Sequence, residues 1–336
     1  MNKKRDFVIP ASGIDSVEKV RLGGVDQAIL IQGYDTSKPI LLFIHGGPCM
    51  AIPGVVSRGQ DYNIATTTKE LVKQYVVVFW DQRGAGKSYH RSILQNTIRV
   101  EQYISDCNEL VDLLRQRFSQ DKIYLAGHSW GSFIGLLFSS RYSEKLHAYI
   151  GISQLLNWVE NDQLCYQWLK TKAEQAKDKK TLKKLEELGL PPYTKSVKQW
   201  ISFRSPLTKY KSMVYESDTV KHSGMVGGLK LFFTSSEYSI LDIFHTFYSA
   251  YKLTYTQELI EDFAKIDLHQ ISDIEIPVYF LHGSHDAHVD GSQVVRFYNN
   301  LKAPSGKKLI WFENSSHMFH LEDARKIEQF LIDLVS

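Results

Sequence analysis

The chain has 336 residues, 43% of them hydrophobic and 23% charged, with a formal net charge of +3. That length supports one large domain with an insertion, or two domains, each able to bury a substantial core. Such a mild charge does not argue for a nucleic-acid partner, which usually calls for a concentrated basic face, and no apolar run approaches the length of a membrane span.

Taken in chain order, the first pattern is a pair of alternating stretches, 16–22 and 27–32, around Gly23-Gly24-Val25-Asp26, which predicts a β-hairpin. Short, continuous apolar runs follow at 40–44, 76–80, 123–126 and 148–152. Their lack of alternation suits strands buried on both faces of a parallel sheet. Between them, 97–118 carries an apolar stripe from Val100 through Tyr103, Ile104, Cys107, Leu110, Val111 and Leu114, a helix with Thr97 as its cap. A second, buried helix is expected over 130–138, where small residues four apart allow close approach to a sheet.

From 154 to 272 the pattern turns helical without sheet strands and reads as an inserted helical cap. It is charge-rich at 170–180, which marks solvated helix faces and a turn, and aromatic-rich from Phe232 to Tyr255. Strand patterns resume at 278–281 and 309–312, and an amphipathic helix over 321–335 closes the chain. The expected architecture is therefore an α/β fold, a mostly parallel central sheet flanked by helices. Residues 1–153 and 273–336 form the core domain and 154–272 the cap.

Gly127-His128-Ser129-Trp130-Gly131 joins the third parallel strand to its helix. A serine held in so sharp a turn has its hydroxyl exposed, and side chains at Gly127 and Gly131 would obstruct the turn. A serine needs a base to take its proton, and the base needs a third group to hold its tautomer. On sheets carrying such a serine, the acid follows a late strand and the histidine the last one. Asp286 and His317 occupy those places and are preferred over Asp290 and His320, which lie farther from their strands. For the oxyanion, Trp130 offers the amide after the serine. A second amide is expected from His45-Gly46-Gly47-Pro48-Cys49, with Gly47 as the donor.

Several other patterns compete with these. Gly84-Ala85-Gly86-Lys87-Ser88 ends like a phosphate-binding loop, but Asp81 stands where that loop needs a glycine. His282, His285 and His288 with Asp286 and Asp290 match no compact zinc spacing, so no metal and no cofactor are expected. Cys49, Cys107 and Cys165 are odd in number and widely spaced, which excludes a zinc ribbon and suggests reduced thiols. The basic start, Lys3-Lys4-Arg5, precedes an apolar run too short for a secretory signal, so a cytoplasmic protein is expected.

Three signatures, His45-Gly46-Gly47-Pro48, Asp81-Gln82-Arg83-Gly84-Ala85-Gly86-Lys87-Ser88 and Gly127-His128-Ser129-Trp130-Gly131-Ser132, resemble those of the proline iminopeptidase branch of the α/β-hydrolase fold. The resemblance covers 16–153 and 276–336 well and the cap loosely. It implies a Ser129, Asp286 and His317 triad, with the Trp130 and Gly47 amides as the oxyanion hole. It also implies an aminopeptidase releasing an N-terminal proline or small apolar residue from short peptides. Cys49 departs from the family's glycine, and the family's Trp-x-x-Trp-Glu element, whose glutamate helps hold the substrate amine, is not found. Glu160, Glu216 and Glu237 are the candidate substitutes, with Glu160 put first. A carboxylesterase or lactonase acting on small esters is the alternative, and a non-catalytic ligand-binding homologue the rival. Either way the partner is a small molecule or short peptide, with neither nucleic acid nor membrane involved.

Overall fold

A computed structural model describes residues 5–222 and 224–336, which leaves the lysines of the basic start outside the described residues. Its strands are β1 (Ile14–Leu22), β2 (Val25–Gly33), β3 (Ile40–Ile44), β4 (Val76–Asp81), β5 (Ile123–His128), β6 (Leu146–Ile152), β7 (Val278–Gly283) and β8 (Lys307–Phe312). They form one eight-stranded sheet in the order β1-β2-β4-β3-β5-β6-β7-β8. The hairpin strand β2 pairs antiparallel with β1 and β4, and all other pairings are parallel. The hairpin turns at Gly23 and Gly24, with φ of +50° and +78°, the left-handed pair that a tight turn matched to strand twist demands.

The apolar runs become the interior strands because helices cover both faces. In β3, Ile40, Leu42 and Ile44 join one core, and Leu41 and Phe43 the other. Each such side chain contributes roughly 1.5–3 kcal/mol of burial, set against the entropy of ordering it. Helices α1 (Val100–Arg117) and α2 (Trp130–Arg141) pack on the first face, and the C-terminal helix lies on the second. Gly135 lets α2 approach the sheet, since a Cβ there would lie 2.7 Å from the Tyr149 ring. Helix α1 starts at Val100 rather than at Thr97. Thr97 closes a short 3-10 turn and turns its hydroxyl back to Leu94 O at 2.7 Å, while Asp262 accepts from the Val100 amide at 3.0 Å. The cap comes from a distant segment, which no local pattern reveals.

Between β6 and β7 lie α3 (Trp158–Gln175), α4 (Lys179–Leu188), α5 (Val197–Lys209), α6 (Gly224–Thr234), α7 (Ile240–Phe244), a π-helical turn His245–Ala250, α8 (Tyr251–Thr254) and α9 (Gln257–Ala264). The charged 170–180 stretch is the end of α3 and a turn, and Asp178 caps α4 by accepting from the Thr181 amide at 3.1 Å. Phe263 of α9 packs edge-on against Trp130, Phe133 and Trp158, at centroid distances of 5.1, 4.6 and 4.2 Å, and so ties the inserted helices to α2. Helices α10 (Gly291–Asn300) and α11 (Leu321–Asp333) complete the fold. Among the described residues no helix is long and apolar enough to cross a membrane. Because the six parallel strands run the same way, the loops after β3, β4, β5, β7 and β8 gather at one sheet edge, where open α/β sheets bind ligands.

Candidate active site

Ser129 sits between β5 and α2 with φ 55° and ψ −118°, a conformation a side chain-bearing residue rarely adopts. Strain of about 1–3 kcal/mol persists only where the surroundings over-determine it. Here the Ser129 amide donates to Ile152 O at 3.0 Å, and Ser129 O accepts from the Ser132 amide at 2.9 Å and the Ser132 hydroxyl at 2.6 Å. Neighbouring backbone leaves no room for larger residues in the turn. A Cβ on Gly131 would lie 2.0 Å from Ile44 O, and one on Gly127 would lie 2.3 Å from Gly131 O.

Asp286, in the loop after β7, accepts from His317 Nδ1 at 2.9 Å with one carboxylate oxygen. Its other oxygen accepts from the amides of His288 and Val289, each at 2.9 Å. Burial alone would raise the Asp286 carboxyl, but the His317 charge and hydrogen bond, helped by His282 and the Val289 amide, hold it well below the usual carboxylate range. His128 donates from Nε2 to His317 O at 3.0 Å, and its ring stands 4.8 Å from the His317 ring. Burial first, then the His317 charge, pushes His128 down to about 3, so it is a neutral wedge. His288 stands 4.8 Å from His317 on another side and is likewise pushed well down, mainly by burial. Ser129 and His317 face the same cavity rather than being joined by a hydrogen bond.

The competing pair is employed elsewhere. Asp290 caps α10 through the Ser292 amide at 2.9 Å, and His320 caps α11. Of the other histidines in this segment, His282 donates to Val289 O at 3.1 Å and stands 3.8 Å from the Asp286 carboxylate, and His285 stacks on Tyr215 at 3.5 Å. Among the described residues no group of three or more His, Cys, Asp or Glu is arranged to hold a metal ion.

Trp130, the first residue of α2, has an amide without an acceptor inside its helix. Gly47, at φ +45°, lines the same cavity as Trp130 and Ser129. Gly46 allows the loop after β3 to approach, because a Cβ there would lie 3.1 Å from Ser129 Cβ. Gln82 holds these loops in register. Its amide donates to His45 Nε2 at 3.1 Å, its side-chain nitrogen to His45 O at 3.0 Å, and its side-chain oxygen accepts from the Trp130 indole at 3.1 Å. Asp81 accepts from the amides of Val55 and Lys87 at 2.7 and 2.8 Å, and Arg83 pairs with buried Asp106 at 2.8 Å. Lys87 of the would-be phosphate loop instead reaches Asp242 at 2.8 Å. The Asp-Gln-Arg motif was visible in the sequence, but its task of fixing three loops became legible only in the structure. Cys49 is buried, and burial pushes its thiol up to about 12.

A cavity of about 410 Å³ opens over Ser129, with Gly46, Gly47, Trp130 and His317 at its floor. Its walls are mainly apolar and aromatic, among them Trp158, Trp200, Phe232, Tyr255, Phe263 and Met318. No described Asp or Glu lines it. This corrects the expectation for Glu160, whose carboxylate lies on the outer side of α3, paired with Arg296 at 2.5 and 2.7 Å and 3.5 Å from His269. Helical spacing places Glu160 two positions after Trp158, hence on a different face. Glu216 pairs with Lys211, and Glu237 with Arg58, so neither reaches the cavity. The cavity wall does carry Arg204, for which the sequence held no signal.

Residues 39–324 match the family model of the alpha/beta hydrolase fold. The chain belongs to the α/β-hydrolase fold family. This α/β-hydrolase is 30% identical over 309 residues to the probable aminopeptidase YbaC of Bacillus subtilis, covering 91% of its own chain and 92% of that protein. It is 25% identical over 308 residues to a proline iminopeptidase of Saccharolobus solfataricus, covering 88% and 84% respectively. A solved structure of a proline iminopeptidase-related protein from Thermus thermophilus superposes with a TM-score of 0.62 at 16% identity, over 96% of this chain and 97% of that one, a likeness of fold.

Proposed function

We propose that this α/β-hydrolase is a serine hydrolase in which Ser129 is the nucleophile, His317 the general base and Asp286 the group that orients it. The observation that carries this reading is the Asp286–His317 hydrogen bond at 2.9 Å, opening onto the cavity that the strained Ser129 also lines. With Nδ1 held by Asp286, His317 presents Nε2 as proton acceptor. Ser129 Oγ attacks the substrate carbonyl as its proton passes to His317. The amides of Trp130 and Gly47 receive the oxyanion, His317 returns the proton to the leaving group, and water repeats the sequence to release the acyl group. In this reading the helices within 154–272 act as a cap that limits substrate size, over a core of 1–153 and 273–336.

For substrate, aminopeptidase action on short peptides with N-terminal proline or a small apolar residue comes first, supported by the names of the two relatives. A carboxylesterase acting on small esters is the second reading. It is favoured by a cavity wall without an acidic side chain to hold a free amine. Initial rates on proline, alanine and leucine nitroanilides and on a short-chain nitrophenyl ester, with intact protein and Ser129→Ala, test both. Turnover of the anilides that is lost in Ser129→Ala and on blocking the amine supports the aminopeptidase. Turnover of the ester alone supports the esterase, and activity unchanged in Ser129→Ala overturns the serine mechanism.

A further inference from the structure

Arg204, on α5, lines the cavity over Ser129 and keeps 17% of its side chain accessible. Its guanidinium lies against the rings of Trp200 and Trp158, 5.0 and 5.7 Å from their centroids, which fixes its plane. One edge is held by Asp162, through Nη2, and Asp162 is itself fixed by the Trp158 indole at 2.9 Å. Among the described residues Nη2 alone of the guanidinium donates a hydrogen bond, and Nε is buried without a partner. Two more buried nitrogens, on the cavity-lining residues Trp200 (Nε1) and His288 (Nδ1), also lack partners among the described residues. Buried polar nitrogens left unpaired are expensive, and several close to one cavity call for an explanation. The donor left for a ligand is Nη1, which is neither hydrogen-bonded nor buried among the described residues, and with no carboxylate lining this wall it complements an anionic, planar acceptor.

We propose that Arg204, with the Trp200 indole beside it, receives a carboxylate carried by the substrate. The inference deepens the serine hydrolase reading and rests on it. The substrate class is then a small ester or amide with a free carboxylate within the reach of a 410 Å³ cavity. Two sources share this chemistry. The carboxylate belongs either to the leaving portion, as the C-terminus of a dipeptide does, or to the acyl portion, as in a dicarboxylic acid monoester. A charge-assisted contact from Nη1 in a largely desolvated wall also explains how a mainly apolar cavity would select a charged substrate, because an analogue lacking the carboxylate leaves that donor unpaired.

The experiment compares kcat/KM within matched pairs: prolyl-alanine against prolyl-alaninamide, and the nitrophenyl monoester of glutarate against nitrophenyl valerate. Each pair is run with wild type, Arg204→Lys and the double variant Asp162→Asn/Arg204→Gln, which avoids leaving Asp162 buried and unpaired. Binding of glutarate to the same proteins is measured by calorimetry. Expected is an acidic-over-neutral preference of about tenfold or more in one pair, which identifies the source, falling to about twofold or less in the double variant and partly kept in Arg204→Lys. Glutarate binding should weaken in parallel. Absence of any acidic preference or glutarate binding in wild type, or a preference that survives the double variant, overturns the proposal. Ser129→Ala separates the two readings: full hydrolysis in that variant sinks the serine mechanism, while the preference ratio and the glutarate affinity still report on Arg204.

Discussion

Asp286 divides its carboxylate between two tasks, accepting from His317 Nδ1 at 2.9 Å with one oxygen and from the amides of His288 and Val289 at 2.9 Å with the other. The amide contacts fix the carboxylate in its loop, so the bond to His317 has one geometry. If that bond sets the imidazole tautomer, replacing the anion by an amide should impair chemistry without disturbing the fold. Asp286→Asn is expected to lower kcat by about 10³–10⁴-fold, with far-UV circular dichroism unchanged. A loss of less than about tenfold would remove Asp286 from the mechanism.

Gly131→Ala tests the turn itself. The added methyl would lie 2.0 Å from Ile44 O and 2.7 Å from His45 O, both backbone atoms that cannot step aside without moving β3. We expect a destabilisation of about 3 kcal/mol, read as a lowered urea midpoint. A midpoint equal to that of wild type would mean that the loop after β3 yields freely.

Acid should destabilise the protein well before its ordinary carboxylates titrate. His45 and His128 are pushed down to about 4 and about 3 by burial, and His282 and His288 are also lowered. Below about pH 6.5 the unfolded chain takes up protons that these folded imidazoles refuse, so unfolding becomes easier as pH falls. Each histidine contributes up to about 1.4 kcal/mol per pH unit until its folded value is reached. Asp81, raised to about 6 by burial, and Asp162, raised by the same cause, act in the opposite sense, while His147, His222 and His269, also lowered mainly by burial, add to the four histidines. Asp286 joins the histidines only at lower pH, since its contribution is present above about pH 4 and is lost as pH falls below that. Urea midpoints should therefore drop between pH 7 and pH 4.5, and His128→Asn should flatten the slope. A pH-independent midpoint would contradict neutral burial of these rings.

Glu160→Gln is expected to leave KM for any hydrolysed substrate within about twofold and stability within about 1 kcal/mol, because its partner Arg296 is about half exposed, at 49%. A KM rise of tenfold for free-amine substrates alone would return Glu160 to the site.

How much of this was readable in the chain follows from the range of the forces involved. Local patterns wrote the strands as apolar runs, the hairpin as a Gly-Gly pair between alternating stretches, and the elbow as Gly-x-Ser-x-Gly, because the turn itself spans five residues even though Ile44 O supplies the exclusion at Gly131. Chain order singled out Asp286 and His317, since a parallel sheet delivers its late loops to one edge. The cap of α1 from Asp262, the tether of His45 and Trp130 by Gln82, and the seating of Arg204 against Trp158 and Asp162 depend on partners brought together across long loops. Glu160 shows the same limit from the other side. An exposed ion pair and an amine anchor look alike as one letter, and helix rotation about α3 chose between them by turning Trp158 inward and Glu160 toward Arg296. The sequence by itself determined the sheet, the elbow and the order of the chemistry-bearing residues, because those follow from local sterics and hydrophobic period. Only the tertiary structure decided the polarity of the cavity wall, because that depends on which side chains of helices far apart in sequence meet over Ser129.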